Sequence, residues 1–180
     1  MEESKVLRTT EEIKAISDPY RLKILNILSK FPEGATATMI AEKMNEVPSK
    51  VHYHIKKLEK AGIIELTNTE VINGIIAKYY MKTAEYFTIE GEDSDNPIIL
   101  NETFKVIKNI YDESLSYMKE AINNKKSGAD PTVTSASEVY LTKEEVEELL
   151  EYIKTINNKK TVREGAHKAH VLFSIVRRQE

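Results

Sequence analysis

Apolar positions at helical spacing fill the first sixty residues, broken at intervals by residues that start or stop helices. Thr9 with Glu12 reads as a capping box, hydroxyl and carboxylate each satisfying a backbone N–H the helix leaves unpaired, and Ile13 and Ile16 follow on a short helix. Asp18-Pro19 restarts the chain: the carboxylate caps, and proline at the first helical position loses no hydrogen bond. Leu22, Leu25, Ile27, Leu28 and Phe31 supply the buried face of this second helix, and Pro32-Glu33-Gly34 ends it. Thr36 caps a third, with Met39, Ile40 and Met44 apolar and Ala41 small enough for close helix contact. Only Asn45 to Val47 separates it from Pro48, where a fourth helix begins, bearing the narrow stripe Val51, Ile55 and Leu58 and stopping at Gly62. Two helices joined by so tight a turn, the second exposed on most of its surface, have helix-turn-helix spacing.

The period then changes. Ile63-Ile64-Glu65-Leu66 and the run from Ile75 to Met81 are β-rich, while Thr67, Asn68, Thr69, Glu70, Asn73 and Gly74 between them read as turn and loop. A hairpin in this position is a wing. Glu90, Glu92, Asp93 and Asp95, with Gly91 and Ser94, make an acidic linker, so residues 1–89 are expected as one domain and 90–180 as a C-terminal region. Asn96-Pro97 opens a helix reaching Asn123, in which Leu100, Phe104, Ile107, Tyr111, Leu115, Met118 and Ile122 recur at spacings of four and three. Ile99, Val106 and Ile110 form a second row. The stripe is broader than the cover of one small domain needs; it packs on the first helices or forms a dimer seam, and the seam is the expectation. After a linker at 125–131, a strand is expected from Thr132 to Leu141. Thr142 and Glu145 then make a capping box for a helix bearing Val146, Leu149, Leu150, Ile153 and Ile156, and Ala169 to Arg177 is a last strand. The fold class is thus mainly α (α+β): a winged helix-turn-helix domain, a long dimerisation helix and a small β-α-β cap.

Charge sharpens this picture. The 180 residues carry a net charge of −3, yet from Lys43 to Lys60 there are five lysines against Glu46 and Glu59. The fourth helix shows Ser49, Lys50, His52, Tyr53, Lys56 and Lys57, groups suited to phosphates, base edges and thymine methyls. A solvated helix with ordinary lysine decoration would carry the same residues; its helix-turn-helix neighbours favour DNA. On the wing, Asn68, Thr69, Asn73 and Lys78 are candidates to meet a neighbouring groove or backbone.

With no cysteine, disulfides, thiolate zinc sites and a cysteine nucleophile are excluded. The polar, acidic start is no signal peptide and no apolar run approaches a membrane span, so a cytoplasmic chain without a membrane partner is expected. His52 and His54 lie about 200° apart around a helix and cannot share a metal; His52 reads as a groove contact and His54 as half-buried packing. His167 and His170 stand three apart with no third ligand evident, so no metal is assigned to them. Without a phosphate loop, a G-x-S-x-G elbow or an H-E-x-x-H motif, neither an enzyme nor a cofactor is expected.

The segments DPYRLKILNIL, TATMIAEKM, PSKVHYHIKKLEKAGII and NGIIAKYY, in that order, resemble the winged helix-turn-helix of ArsR-type transcriptional regulators over Thr9 to Phe87. The resemblance implies a homodimer that binds a palindromic operator in double-stranded DNA, usually a repressor released by a small-molecule effector. It implies a scaffold role for Arg21 and places Ser49, Lys50, His52, Tyr53, Lys56 and Lys57 on the recognition helix. The sequence departs from the pattern at Glu46, where an apolar residue is usual and Val47 would have to take over the packing. It also lacks the Cys-Val-Cys motif of the metal-sensing members. The other reading is a winged-helix interaction module whose lysine-bearing helix docks an acidic protein.

Overall fold

Caps set the helix starts as expected. In the computed structural model, which describes residues 1–72, 74–90, 96–123, 139–157, 159, 164 and 169–175, α1 (Thr10–Ile16) begins with the complete Thr9/Glu12 capping box. The Asp18 carboxylate accepts from the backbone N–H groups of Tyr20 and Arg21 to start α2 (Pro19–Leu28). The Thr36 hydroxyl accepts from Met39 N–H to start α3 (Ala37–Met44). Asn45 takes the left-handed conformation, φ 53°, which turns the chain within three residues into α4 (Pro48–Lys60). Asparagine tolerates that conformation better than most side chains. Gly62, at φ +66°, ends α4, with Ile63 N–H reaching back to Leu58 O.

Val51, Ile55 and Leu58 are fully buried among Ile13, Ile24, Ile40, Ile63 and Ile64. Burying side chains of this size stabilises the fold by roughly 1.5–3 kcal/mol each. Ile24 belongs to the core although it was not on the expected face of α2, whose Leu22 and Ile27 are only partly covered. Phe31 lies beyond the end of that helix.

The wing is longer than expected. β2 (Ile64–Ile72) and β3 (Ile75–Lys82) pair antiparallel almost to the tip, with an irregularity between Leu66 and Asn68. Thr67 to Glu70, read as loop, are therefore strand. Eight of the nine β2 residues are exposed, so no in–out alternation marks it. Ala35 and Tyr80 exchange two backbone hydrogen bonds, tying the α2–α3 connection to the wing.

A second pairing was not foreseen. β1 (Glu2–Leu7) runs parallel to β4 (Ala84–Ile89), from Glu2 opposite Ala84 to Leu7 opposite Ile89. Leu7 is fully buried. This strand pair fastens the N-terminus beside the base of the wing.

The chain divides into two compact units, Met1–Ile110 and Tyr111–Glu180, the division falling within α5 (Pro97–Asn123). Asn96 caps α5 by accepting from Ile98 N–H. In the first unit α5 buries Ile99, Glu102 and Val106. Ser17 donates its hydroxyl to Glu102, and Asn109 donates to Ser17 O at 2.8 Å. In the second unit α6 (Lys143–Asn157) begins with the expected Thr142/Glu145 capping box, and none of its residues is fully buried. Residues 169–175 form no strand, correcting the β-strand expected there: their exposed Val171, Phe173 and Ile175 have the composition but, among the described residues, no neighbouring strand to pair with. Residues 139–141 are not strand either, and the remainder of that expected strand, at 132–138, lies outside the described residues. So do residues 91–95, most of the acidic linker.

Candidate nucleic-acid interface

At about 100° per residue, the buried stripe of α4 sits opposite a face centred on Ser49, Tyr53, Lys56 and Lys60. Lys57 and Lys50 flank it on one side and His52 on the other. The amphipathic division is sharp: the stripe is fully buried, while Tyr53 is 56% exposed. Lys60, which the sequence analysis left out of the site, shares the azimuth of Tyr53. The row Ser49, Tyr53, Lys56 and Lys60, in steps of four, three and four, was the available signal.

Neighbours hold several of these side chains. Lys57 Nζ lies 4.4 Å from the Tyr53 ring centroid, a cation–π contact that keeps both on the outward face. Lys50 pairs with Glu46 at 2.7 Å and lies 4.5 Å from the Tyr20 ring. The hydrogen bond that Lys50 donates to Glu46 raises the Lys50 pKa. Lys56 pairs with Glu59 at 2.6 Å. The role of Glu46 is thus an ionic clamp on the first turn of α4, and Val47, 59% exposed, does not take over an apolar contact in the turn. Lys57 and Lys60 have no carboxylate partner at salt-bridge distance among the described residues.

His54 is a packing residue. Its ring lies 4.4 Å from Tyr20 and edge-on to Tyr53 at 5.2 Å, and its Nδ1 has no hydrogen-bond partner among the described residues. Burial pushes its pKa down, overcoming the opposing pull of Asp18, so the ring is neutral at pH 7. Arg21 is buried beneath the helices. Its guanidinium donates to Ala15 O and, at 2.6 Å, to Lys14 O, and it pairs with Asp18 at 3.2 Å. It ties α1 to α2 and faces no groove.

On the wing, Asn68, Thr69 and Lys78 are all exposed, with Thr69 opposite Lys78 across the hairpin. Asn73 lies outside the described residues. Gly74 has φ +78°, as the tight turn requires. The tip itself is apolar: Val71 pairs with Ile76 and Ile72 with Ile75, and all four are exposed. Far from α4 in sequence, His170 accepts or donates a 2.8 Å hydrogen bond with Ser114 and stacks on Tyr117. His167 lies outside the described residues.

Residues 16–67 match the family model of a helix-turn-helix domain. The chain carries a helix-turn-helix domain. The matched span runs from the end of α1 through α4 into β2, so it contains every candidate residue on α4. No curated protein matches the chain. Among solved structures, a cysteine-to-serine mutant of Lactococcus lactis ZitR is 17% identical at a TM-score of 0.29, covering 89% of this chain and 81% of that one. That likeness is too slight to define the fold. Among the described residues, no helix is long and apolar enough to cross a membrane.

Proposed function

We propose that the chain is a dimeric, sequence-specific DNA-binding regulator of transcription, a cytoplasmic repressor of the ArsR type that an effector releases. One observation carries this reading: the helix after the tight turn at Asn45 buries only Val51, Ile55 and Leu58. Its outward face presents Ser49, Tyr53, Lys56, Lys57 and Lys60. That face is convex, basic and polar, as a helix entering a major groove must be. Tyr53, near the N-terminal half of α4, is placed for base edges, and Lys57 and Lys60, later on the helix, for phosphates. Ser49, Lys50, His52 and Lys56 complete the contact surface, and Lys50 reaches a phosphate only by exchanging Glu46 for it. The wing brings Asn68, Thr69 and Lys78 to the flanking backbone.

A single such helix reads only a few base pairs, so the reading needs two copies on half-sites about 34 Å apart. The seam we assign to α5, whose stripe Leu100, Phe104, Ile107, Tyr111, Leu115 and Ile122 is exposed and whose Met118 is half-covered. Its opposite side, Ile99 and Val106, is already buried in the first unit. Selection of bound sequences from a random duplex pool tests the function. The reading predicts enrichment of a palindrome with half-sites about one helical turn apart. Binding without any enriched sequence would contradict it, and retention of an acidic protein without DNA would favour the interaction-module alternative.

A further inference from the structure

The exposed stripe on α5 has an internal symmetry. From Leu100 to Ile122 its spacings run four, three, four, then four, three, four, so the order of apolar positions reads the same from either end, with Tyr111 at the centre. A two-fold axis requires residue i of one copy to meet j of the other and j to meet i. We infer that α5 packs antiparallel against α5 of a second copy of this chain, with the two-fold axis passing through Tyr111. This rests on the dimer proposed above and fixes its geometry. The stripe then falls into register with itself: Leu100 meets Ile122, Phe104 meets Met118, Ile107 meets Leu115, and Tyr111 meets its own mate. The half-covered, adaptable methionine sits opposite the most exposed aromatic of the stripe, Phe104 at 66%.

The charges beside the stripe favour the same arrangement. On one flank of the helix lie Asn101, Lys108, Asp112 and Lys119; on the other lie Thr103, Ile110, Ser114 and Ala121, which carry no charge. In a parallel pair each flank faces the opposite flank of its mate, and the charged side would meet the uncharged one. In an antiparallel pair each flank faces its own copy. Lys108 then stands within about 3 Å along the axis of Asp112 of the second copy, and the reciprocal pair forms across the axis. The eleven-residue repeat from Leu100 to Tyr111 to Ile122 drifts only about 20° per repeat on a regular helix, so the seam continues along about 33 Å without left-handed supercoiling.

The absence of cysteine makes the test direct. Single variants Leu100→Cys and Ile122→Cys are prepared in the full chain, sized under reducing conditions by sedimentation, then oxidised alone and as an exchanged mixture. Antiparallel pairing predicts dimers of both, no covalent dimer of either alone, and a covalent dimer in the mixture, where facing Cα atoms come within the about 4.4–6.8 Å a disulfide spans. Covalent dimers of Leu100→Cys alone would overturn the antiparallel register in favour of a parallel one. Dimers that crosslink in no combination would place the seam off this stripe. Folded monomers, by circular dichroism, would refute the underlying dimer and leave the stripe to another occupant.

Discussion

Replacing Arg21 with methionine separates scaffold from reader most cleanly. The residue is 8% exposed and its guanidinium donates to two carbonyls, Ala15 O and Lys14 O, at the end of α1. Methionine retains most of the apolar stem but neither donor. Each hydrogen bond from a charged group is worth about 1.5–3 kcal/mol, and the Lys14 carbonyl is only part-buried, so the low end applies and the loss comes to about 3 kcal/mol. Asp18 is not stranded, because it still accepts from the Tyr20 and residue-21 backbone N–H groups. For a chain of this length that loss lowers the midpoint of a thermal melt, followed by far-UV circular dichroism, by about 6–12 °C. DNA affinity measured well below the melt should match wild type within twofold. An unchanged melt with a tenfold loss of affinity would refute the scaffold assignment and return Arg21 to the groove.

Three further outcomes follow from local geometry. The Lys105 ammonium and the Ser17 hydroxyl hold the Glu102 carboxyl below its ordinary pKa of 4.5, against the opposing effect of burial. Its contribution to stability is therefore present above pH 4.5 and lost as pH falls through the lower folded value; urea titrations from pH 6 to 3 should show that loss in wild type and not in Glu102→Gln. Gly34→Ala should destabilise more than Gly74→Ala. Both glycines have positive φ, costing about 1–2 kcal/mol for alanine, but an added methyl at Gly34 lies 3.1 Å from Met81 Cγ and from Tyr80 O, while Gly74 has nothing within 4 Å. Deleting Val71, Ile72, Ile75 and Ile76 removes two cross-strand pairs and keeps the register below them. It should leave the melt unchanged and lower DNA affinity with the salt slope intact, whereas Lys78→Ala should reduce that slope by about one; equal affinity of the deletion variant, by anisotropy titration, would make the wing tip dispensable.

What the sequence made legible was local. Thr9, Asp18, Thr36 and Thr142 mark helix starts because a cap bonds within three residues of itself. The α4 stripe was readable because one face is wholly buried and the rest is not. What escaped was long-range or lacked periodicity. The β1–β4 pairing joins residues some eighty positions apart, and Glu2 to Lys5 carry no alternating pattern to announce a strand. Polar Thr67 to Glu70 resembled a loop because both faces of the outer wing meet solvent. Residues 169–175 showed the converse: with no partner strand among the described residues, their β-rich composition does not make a strand. Within the site, Lys50 was legible as an outward lysine of the fourth helix, but its pairing with Glu46 and Tyr20 was not.

The central claim is that the outward face of α4 enters a groove, and a paired titration tests it. Tyr53→Ala and Lys57→Ala are each titrated by fluorescence anisotropy against the selected palindrome and a scrambled duplex, at several salt concentrations. Lys57→Ala should weaken both duplexes alike and reduce the salt slope by about one, as loss of a phosphate contact does. Tyr53→Ala should narrow the ratio between the two duplexes, because it removes a base-edge contact and also frees the Lys57 ammonium 4.4 Å away. Wild-type affinity, ratio and slope in both variants would contradict the account.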